Sequence, residues 1–138
     1  MTAEMSLSPR ASETQWQPVC TLEDLPRERG VCALVDGAQV ALFRAYDDEV
    51  YAVQQLDPYS GAHVMSRGIV GTRGATPTVA SPMYKQVFDL RTGECLDSVG
   101  KDARHLLVYP VLVAEDVISI GRPVLPGQPD LPGQRGAG

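Results

Sequence analysis

With 138 residues the chain is long enough for one compact domain and too short for two ordinary ones. Apolar residues make up 43% of it, and its formal charge is -5, with 12 Lys and Arg against 17 Asp and Glu. The basic residues form no run or stripe, which excludes a nucleic-acid backbone as partner, and no stretch approaches the roughly eighteen apolar residues of a membrane helix.

The first residues, MTAEMSLSPRASETQ, lack an apolar segment behind a basic start, so they are read as a disordered N-terminal segment (1–14) of a cytoplasmic protein rather than a leader. From Trp16 short apolar runs alternate with turn signals. WQPVC is a strand, TLEDLPRERG a loop, and VCALV with QVALFRA a hairpin around Asp36-Gly37, since Asp-Gly supplies the positive φ of a tight type I′ turn. Asp47-Asp48 turns the chain into EVYAVQQ, whose Val- and Tyr-rich alternation predicts a half-buried strand.

Residues 55 to 85 are loop-rich and interrupt the strand pattern. It resumes with QVFDL, the turn Arg91-Thr92-Gly93 and ECLDS, then HLLVYPVLVAED and DVISIG. Pro110 cannot donate to a ladder, so it marks an edge, a bulge or a strand junction. No segment has a helical period of useful length. The fold class is therefore all-β, an antiparallel sandwich or open barrel over 15–121, with the loop-rich insertion at about 55–85. Residues 122–138 repeat LPGQ and are read as a flexible Pro/Gly-rich tail.

Cys20, Cys32 and Cys95 are odd in number and widely spaced, so they indicate buried free thiols rather than a disulfide framework or a zinc site. His63 and His105 pair with nothing at ligand spacing and are read as structural or exposed.

Two stretches carry the functional signal. DPYSGA (57–62) and SPMYKQVFDLRTG (81–93) resemble the two cluster-binding loops of the Rieske [2Fe-2S] domain, which tend to read CPHxGA and CPxHGxxFDLxTG. Pro58, Gly61, Ala62, Pro82, Phe88, Asp89, Leu90, Thr92 and Gly93 match. The ligand positions depart completely: Asp57 and Ser81 stand for the cysteines, Tyr59 and Tyr84 for the histidines. A Rieske centre needs two thiolates on one iron and two imidazoles on the other, so this resemblance implies the scaffold without the cluster. Oxygen donors at these places leave the expectation that no metal is held in the chain. Tyr59 and Tyr84 are expected to fill the imidazole volumes, with their hydroxyls on backbone groups or water.

With the continuation Gly93-Glu94-Cys95-Leu96-Asp97, the pattern resembles the small-subunit family of assimilatory NAD(P)H-dependent nitrite reductases. That resemblance implies a partner, the nitrite reductase large subunit, which carries FAD, NAD(P)H, a [4Fe-4S] cluster and sirohaem and reduces nitrite to ammonium. This chain has no GxGxxG after a strand and no clustered cysteines, so no catalytic residue, cofactor or directly bound small-molecule substrate is assigned to it. Tyr59, Ser60, Arg67, Met83, Tyr84 and Lys85 are the candidate docking residues. Residues 60–104 hold six basic side chains (Arg67, Arg73, Lys85, Arg91, Lys101, Arg104) against four acids, which would steer this region toward an acidic partner face. Two other readings are an electron-transfer ferredoxin of Rieske type and a free-standing β interaction module.

Overall fold

The computed structural model describes residues 16–124. The expectations for 1–14 and for 125–138 lie outside them. Within them the chain forms β1 (Gln17–Thr21), β2 (Arg29–Val35), β3 (Ala38–Arg44), β4 (Val50–Gln54), β5 (Ile69–Arg73), β6 (Thr76–Ala80), β7 (Val87–Asp89), β8 (Cys95–Asp97), β9 (Val108–Tyr109), β10 (Val111–Ala114) and β11 (Val117–Ile120). All neighbouring strands pair antiparallel, in three sheets ordered β9-β4-β3-β2, β10-β11-β1 and β5-β6-β7-β8. Among the described residues the helical content is two short 3-10 turns, Leu22–Asp24 and Met65–Arg67. Among the described residues no helix is long and apolar enough to cross a membrane.

The run Val40-Ala41-Leu42-Phe43 explains the layering. All four are buried, and they divide by alternation. Val40 and Leu42 join Val50, Ala52, Tyr109, Ile118 and Ile120 in one core, between the central sheet and the sheet of β11. Ala41 and Phe43 join Val53, Met65, Val79, Phe88, Leu90 and Leu106 in a second core, against the sheet of β6 and β7. The central sheet is thus covered on both faces, and a strand covered on both faces reads as a continuous apolar run.

Turn chemistry fixes the register. Asp36 and Gly37 both take positive φ (50° and 83°), as a type I′ turn requires, and Val35 pairs with Ala38 across it. Pro110 lies where the chain passes from β9 in the central sheet to β10 in the outer one, and the junction costs no ladder donor. Beyond Gly121 the main chain is still paired at Val124, which exchanges two 2.8 Å hydrogen bonds with Val108. Within the insertion, between its loops, β5 and β6 form a hairpin that sequence patterning leaves unassigned. Gly71 and Pro77 lower its strand propensity, yet Pro77 still contributes its carbonyl, which accepts the Leu90 N–H at 2.9 Å.

The thiols differ from expectation. Cys32 is exposed and Cys20 and Cys95 are half-buried, so none belongs to the buried cores. Cys32 lies on β2, which has a hydrogen-bonded neighbour on one side only, and the outward side chains of such an edge strand remain open to water.

One ion-pair cluster ties the β3–β4 turn to the preceding loop. Asp48 accepts from Arg27 at 2.6 Å and from Arg44 at 2.9 Å. The Arg27 hydrogen bond, with help from Arg44, holds the Asp48 carboxyl down to about 2 from its ordinary 3.8. A depressed carboxyl adds stability above its unfolded pKa and loses it as pH falls through the folded one. Stability is therefore expected to decline between about pH 4 and about pH 2 in part through Asp48. Asp48→Asn should flatten that part of an acid denaturation curve; an identical curve would remove the assignment.

Candidate functional site

The two Rieske-like loops and the turn that follows them are three copies of one local structure. In 57–62, 81–86 and 89–94 the first residue is Asp57, Ser81 or Asp89, and its side-chain oxygen accepts the N–H two residues on: Tyr59 at 2.9 Å, Met83 at 3.1 Å, Arg91 at 2.8 Å. The N–H of that first residue donates to the sixth residue's carbonyl, Ala62 at 2.8 Å, Gln86 at 2.9 Å and Glu94 at 2.8 Å. The fifth residue donates back to the first carbonyl from the left-handed region: Gly61 (φ 77°), Lys85 (φ 67°) and Gly93 (φ 80°). Asp and Ser suit the leading position because their short side chains bond to the backbone two residues along. At Gly93 a methyl group would in addition run into the Leu106 carbonyl, so glycine is required there twice over.

The loops meet at their leading residues. The Ser81 hydroxyl donates to the Asp57 carboxylate at 2.6 Å, and both residues are buried, at 1% and 0% exposure respectively. A hydroxyl-to-carboxylate bond directly bridges the positions that resemble the two iron-bound cysteines. Neither group is a thiolate; the Ser81 proton is given to Asp57, each Asp57 oxygen accepts one hydrogen bond, and the Ser81 oxygen accepts the Met83 N–H. The donor set does not fit a [2Fe-2S] centre of Rieske type. Gln86, buried at the end of the second loop with neither amide atom hydrogen-bonded among the described residues, adds no donor of the required kind. Among the described residues no three His, Cys, Asp or Glu side chains converge as a metal site.

The tyrosines have different fates. Tyr59 turns inward against Phe88, with ring centroids 6.3 Å apart. Its hydroxyl donates to the Asp102 carbonyl at 2.8 Å and accepts the Arg104 N–H at 2.8 Å, with the Cys95 sulfur 3.5 Å away. Burial pushes the phenol pKa up, and the Cys95 contact pushes it further. Tyr84 departs from expectation: it is 53% exposed and stands outward. Ser81, Lys85 and Gln86 close the second loop through the backbone, which leaves Pro82, Met83 and Tyr84 on its outer side.

Tyr59 and Tyr84 do come together as walls of one open groove, whose other side is the segment 100–104. Lys101 and Arg104 of that segment enter the sequence reading only through the basic excess of residues 60–104, and the docking candidates do not include them. Ser60 bonds back within its own loop, to the Ala62 N–H at 3.2 Å. Met83 and Lys85 flank Tyr84 and are exposed. Arg67 stands elsewhere, on the 3-10 turn packed against β2 and β3. His63 and His105 are exposed, the latter accepting the Cys95 N–H on Nδ1 at 2.9 Å.

The profile of the Rieske-like [2Fe-2S] domain family matches residues 15–121. A nitrite reductase (NADH) small subunit of Salmonella typhimurium is 38% identical over 108 residues, covering 78% of this chain and 97% of that protein. The chain belongs to the Rieske-like small-subunit family of NAD(P)H nitrite reductases. The family's fold is seen in a crystal structure described as an NADH-dependent nitrite reductase small subunit of Mycobacterium tuberculosis, 46% identical, with a TM-score of 0.73 over 81% of this chain and 98% of that one. A nitrite reductase [NAD(P)H] large subunit of Klebsiella oxytoca is also similar: 38% identity over 82% of this chain, but only 11% of that protein. In that relative a domain of this family is part of a much longer polypeptide.

Proposed function

We propose that the chain is a cluster-free accessory subunit of an assimilatory nitrite reductase, acting in the cytoplasm on a catalytic large subunit that takes electrons from NAD(P)H and converts nitrite to ammonium. The observation that carries this reading is the Asp57–Ser81 hydrogen bond, which joins the two loops where the resemblance would place iron. In this reading the loops are held without a metal, by backbone bonds, two leading side-chain acceptors and the Tyr59 hydroxyl. Shape retained without a redox group suits docking, not electron transfer. The Klebsiella oxytoca relative supports the partner, because there a domain of the same family is covalently joined to a large-subunit chain. FAD, NAD(P)H, the [4Fe-4S] cluster and sirohaem belong to that partner in this reading. Tyr59, Ser60, Met83, Tyr84 and Lys85 form the docking tip, with Arg67 as an outlying contact.

The experiment is co-expression with the cognate large subunit, following nitrite-dependent NAD(P)H oxidation with and without this chain, together with iron and sulfide analysis of the chain purified anaerobically. The expected result is a gain in activity or in yield of active enzyme, and no stoichiometric iron or sulfide in the isolated chain. Stoichiometric iron and sulfide would instead support the ferredoxin reading, and no effect on activity or yield would remove the accessory role.

A further inference from the structure

The segment 97–105 is built unlike an ordinary surface loop. Val99 holds φ at 56°, a left-handed conformation that a β-branched residue avoids, and its side chain is 53% exposed. The loop is nevertheless fixed at several points. The Val99 N–H donates to Asp97 at 2.9 Å, the Asp102 carbonyl and Arg104 N–H both engage the Tyr59 hydroxyl, and the Arg104 guanidinium donates to the Pro58 carbonyl at 3.2 Å. The Arg104 guanidinium carbon also lies 6.0 Å from the Tyr59 ring centroid.

This bracing presents an open groove of about 790 Å³ lined by Tyr59, Tyr84, Gly100, Lys101, Asp102 and Arg104. Of the six basic residues between 60 and 104, Arg73 is paired with Asp97 and Arg91 with Asp89. Arg67, Lys85, Lys101 and Arg104 form no ion pair among the described residues; Lys101 and Arg104 line the groove, and Lys85 follows the groove residue Tyr84 in the chain. Against the charges of Lys85, Lys101 and Arg104 stands one carboxylate, Asp102. Tyr84, on the groove wall, is 53% exposed, and the residues preceding Tyr84 and Gly100 in the chain, Met83 (46%) and Val99 (53%), are exposed apolar side chains as well. An exposed aromatic with apolar neighbours and unpaired cations around it is the composition of a protein-binding centre with a charged rim.

We infer that the groove between the 81–86 loop and the braced 97–105 segment receives an acidic, carboxylate-bearing segment of the large subunit, with Lys85, Lys101 and Arg104 as its cationic contacts and Tyr84 as its aromatic anchor. This rests on the small-subunit reading above and adds to it a second wall, residues 97–105, and the charge of what binds. Tyr59 acts as a positioning residue, holding that wall at its working distance from Tyr84.

The test is calorimetric titration of the cofactor-loaded large subunit with the wild-type chain, with Lys85→Glu/Lys101→Glu and with Tyr84→Ala, at low and at moderate salt. Neither lysine side chain makes a hydrogen bond among the described residues, so the double variant should unfold like wild type. Wild-type affinity is expected to fall as salt rises, and charge reversal to weaken binding by about tenfold or more and to flatten that salt dependence. Tyr84→Ala should weaken binding while leaving the salt dependence in place. Wild-type binding that the double variant reproduces, at both salt concentrations, would overturn the groove assignment and leave the accessory-subunit reading standing. A wild-type chain that does not bind the large subunit would remove both.

Discussion

Tyr59→Ala should lower the stability of the chain by about 2–4 kcal/mol, combining loss of a half-buried ring with loss of its hydrogen bonds. The size follows from what the side chain joins. Its ring packs on Phe88, a fully buried member of the second core, and its hydroxyl is shared by the Asp102 carbonyl and the Arg104 N–H. Tyr59→Phe keeps the ring and removes only the hydroxyl; because the Asp102 and Arg104 groups are accessible to water, it should cost about 0.5–1.5 kcal/mol. Both substitutions should speed exchange of the Arg104 amide proton, since its acceptor is gone. Urea denaturation gives the stability and hydrogen exchange the local effect. Unchanged protection at Arg104 would show that the 97–105 segment does not depend on Tyr59.

Asp57→Ala is expected to cost about 2–4 kcal/mol, because it strands a buried hydroxyl and a partly buried N–H at once. The carboxylate is fully buried and takes the Ser81 hydroxyl at 2.6 Å and the Tyr59 N–H at 2.9 Å. Ser81→Ala should cost less than Asp57→Ala, since it deprives the carboxylate of one donor and leaves the Tyr59 N–H in place. Removing both should cost less than the sum, with a coupling of about 1–2 kcal/mol in a double-mutant cycle for two side chains in contact. Additive losses would mean that the loops are held independently. The claim that this bond does the joining assigned in related domains to a cluster would then fail.

The base of the fold was legible in short patterns. Asp36-Gly37 announced its hairpin because few dipeptides accept two positive φ angles in succession, and Pro110 announced a junction because it lacks a donor. The run Val40–Phe43 was legible as a strand, but not as the strand in the middle. Covering both of its faces depends on Ile118 and Ile120 from one direction and Val79 and Phe88 from the other, all distant in sequence. The β5–β6 hairpin escaped because Gly71 and Pro77 carry poor strand propensity, whereas pairing with β7 and acceptance of the Leu90 N–H supply what propensity lacks.

The candidate site divides in the same way. Residue types alone decide that positions 57, 59, 81 and 84 offer a carboxylate, a hydroxyl and two phenols in place of thiolates and imidazoles, since ligand chemistry is a property of the side chain. They also decide that Asp57 and Ser81 can lead tight loops, because that hydrogen bond spans only two residues. Only the tertiary structure brings Ser81 onto Asp57, turns Tyr59 inward and Tyr84 outward, and sets Lys101 and Arg104 opposite them. The hydrogen bonds among them span long stretches of chain, 24 residues between Asp57 and Ser81 and 45 between Tyr59 and Arg104. At such separations the packing of three sheets, not local preference, determines which side chains meet.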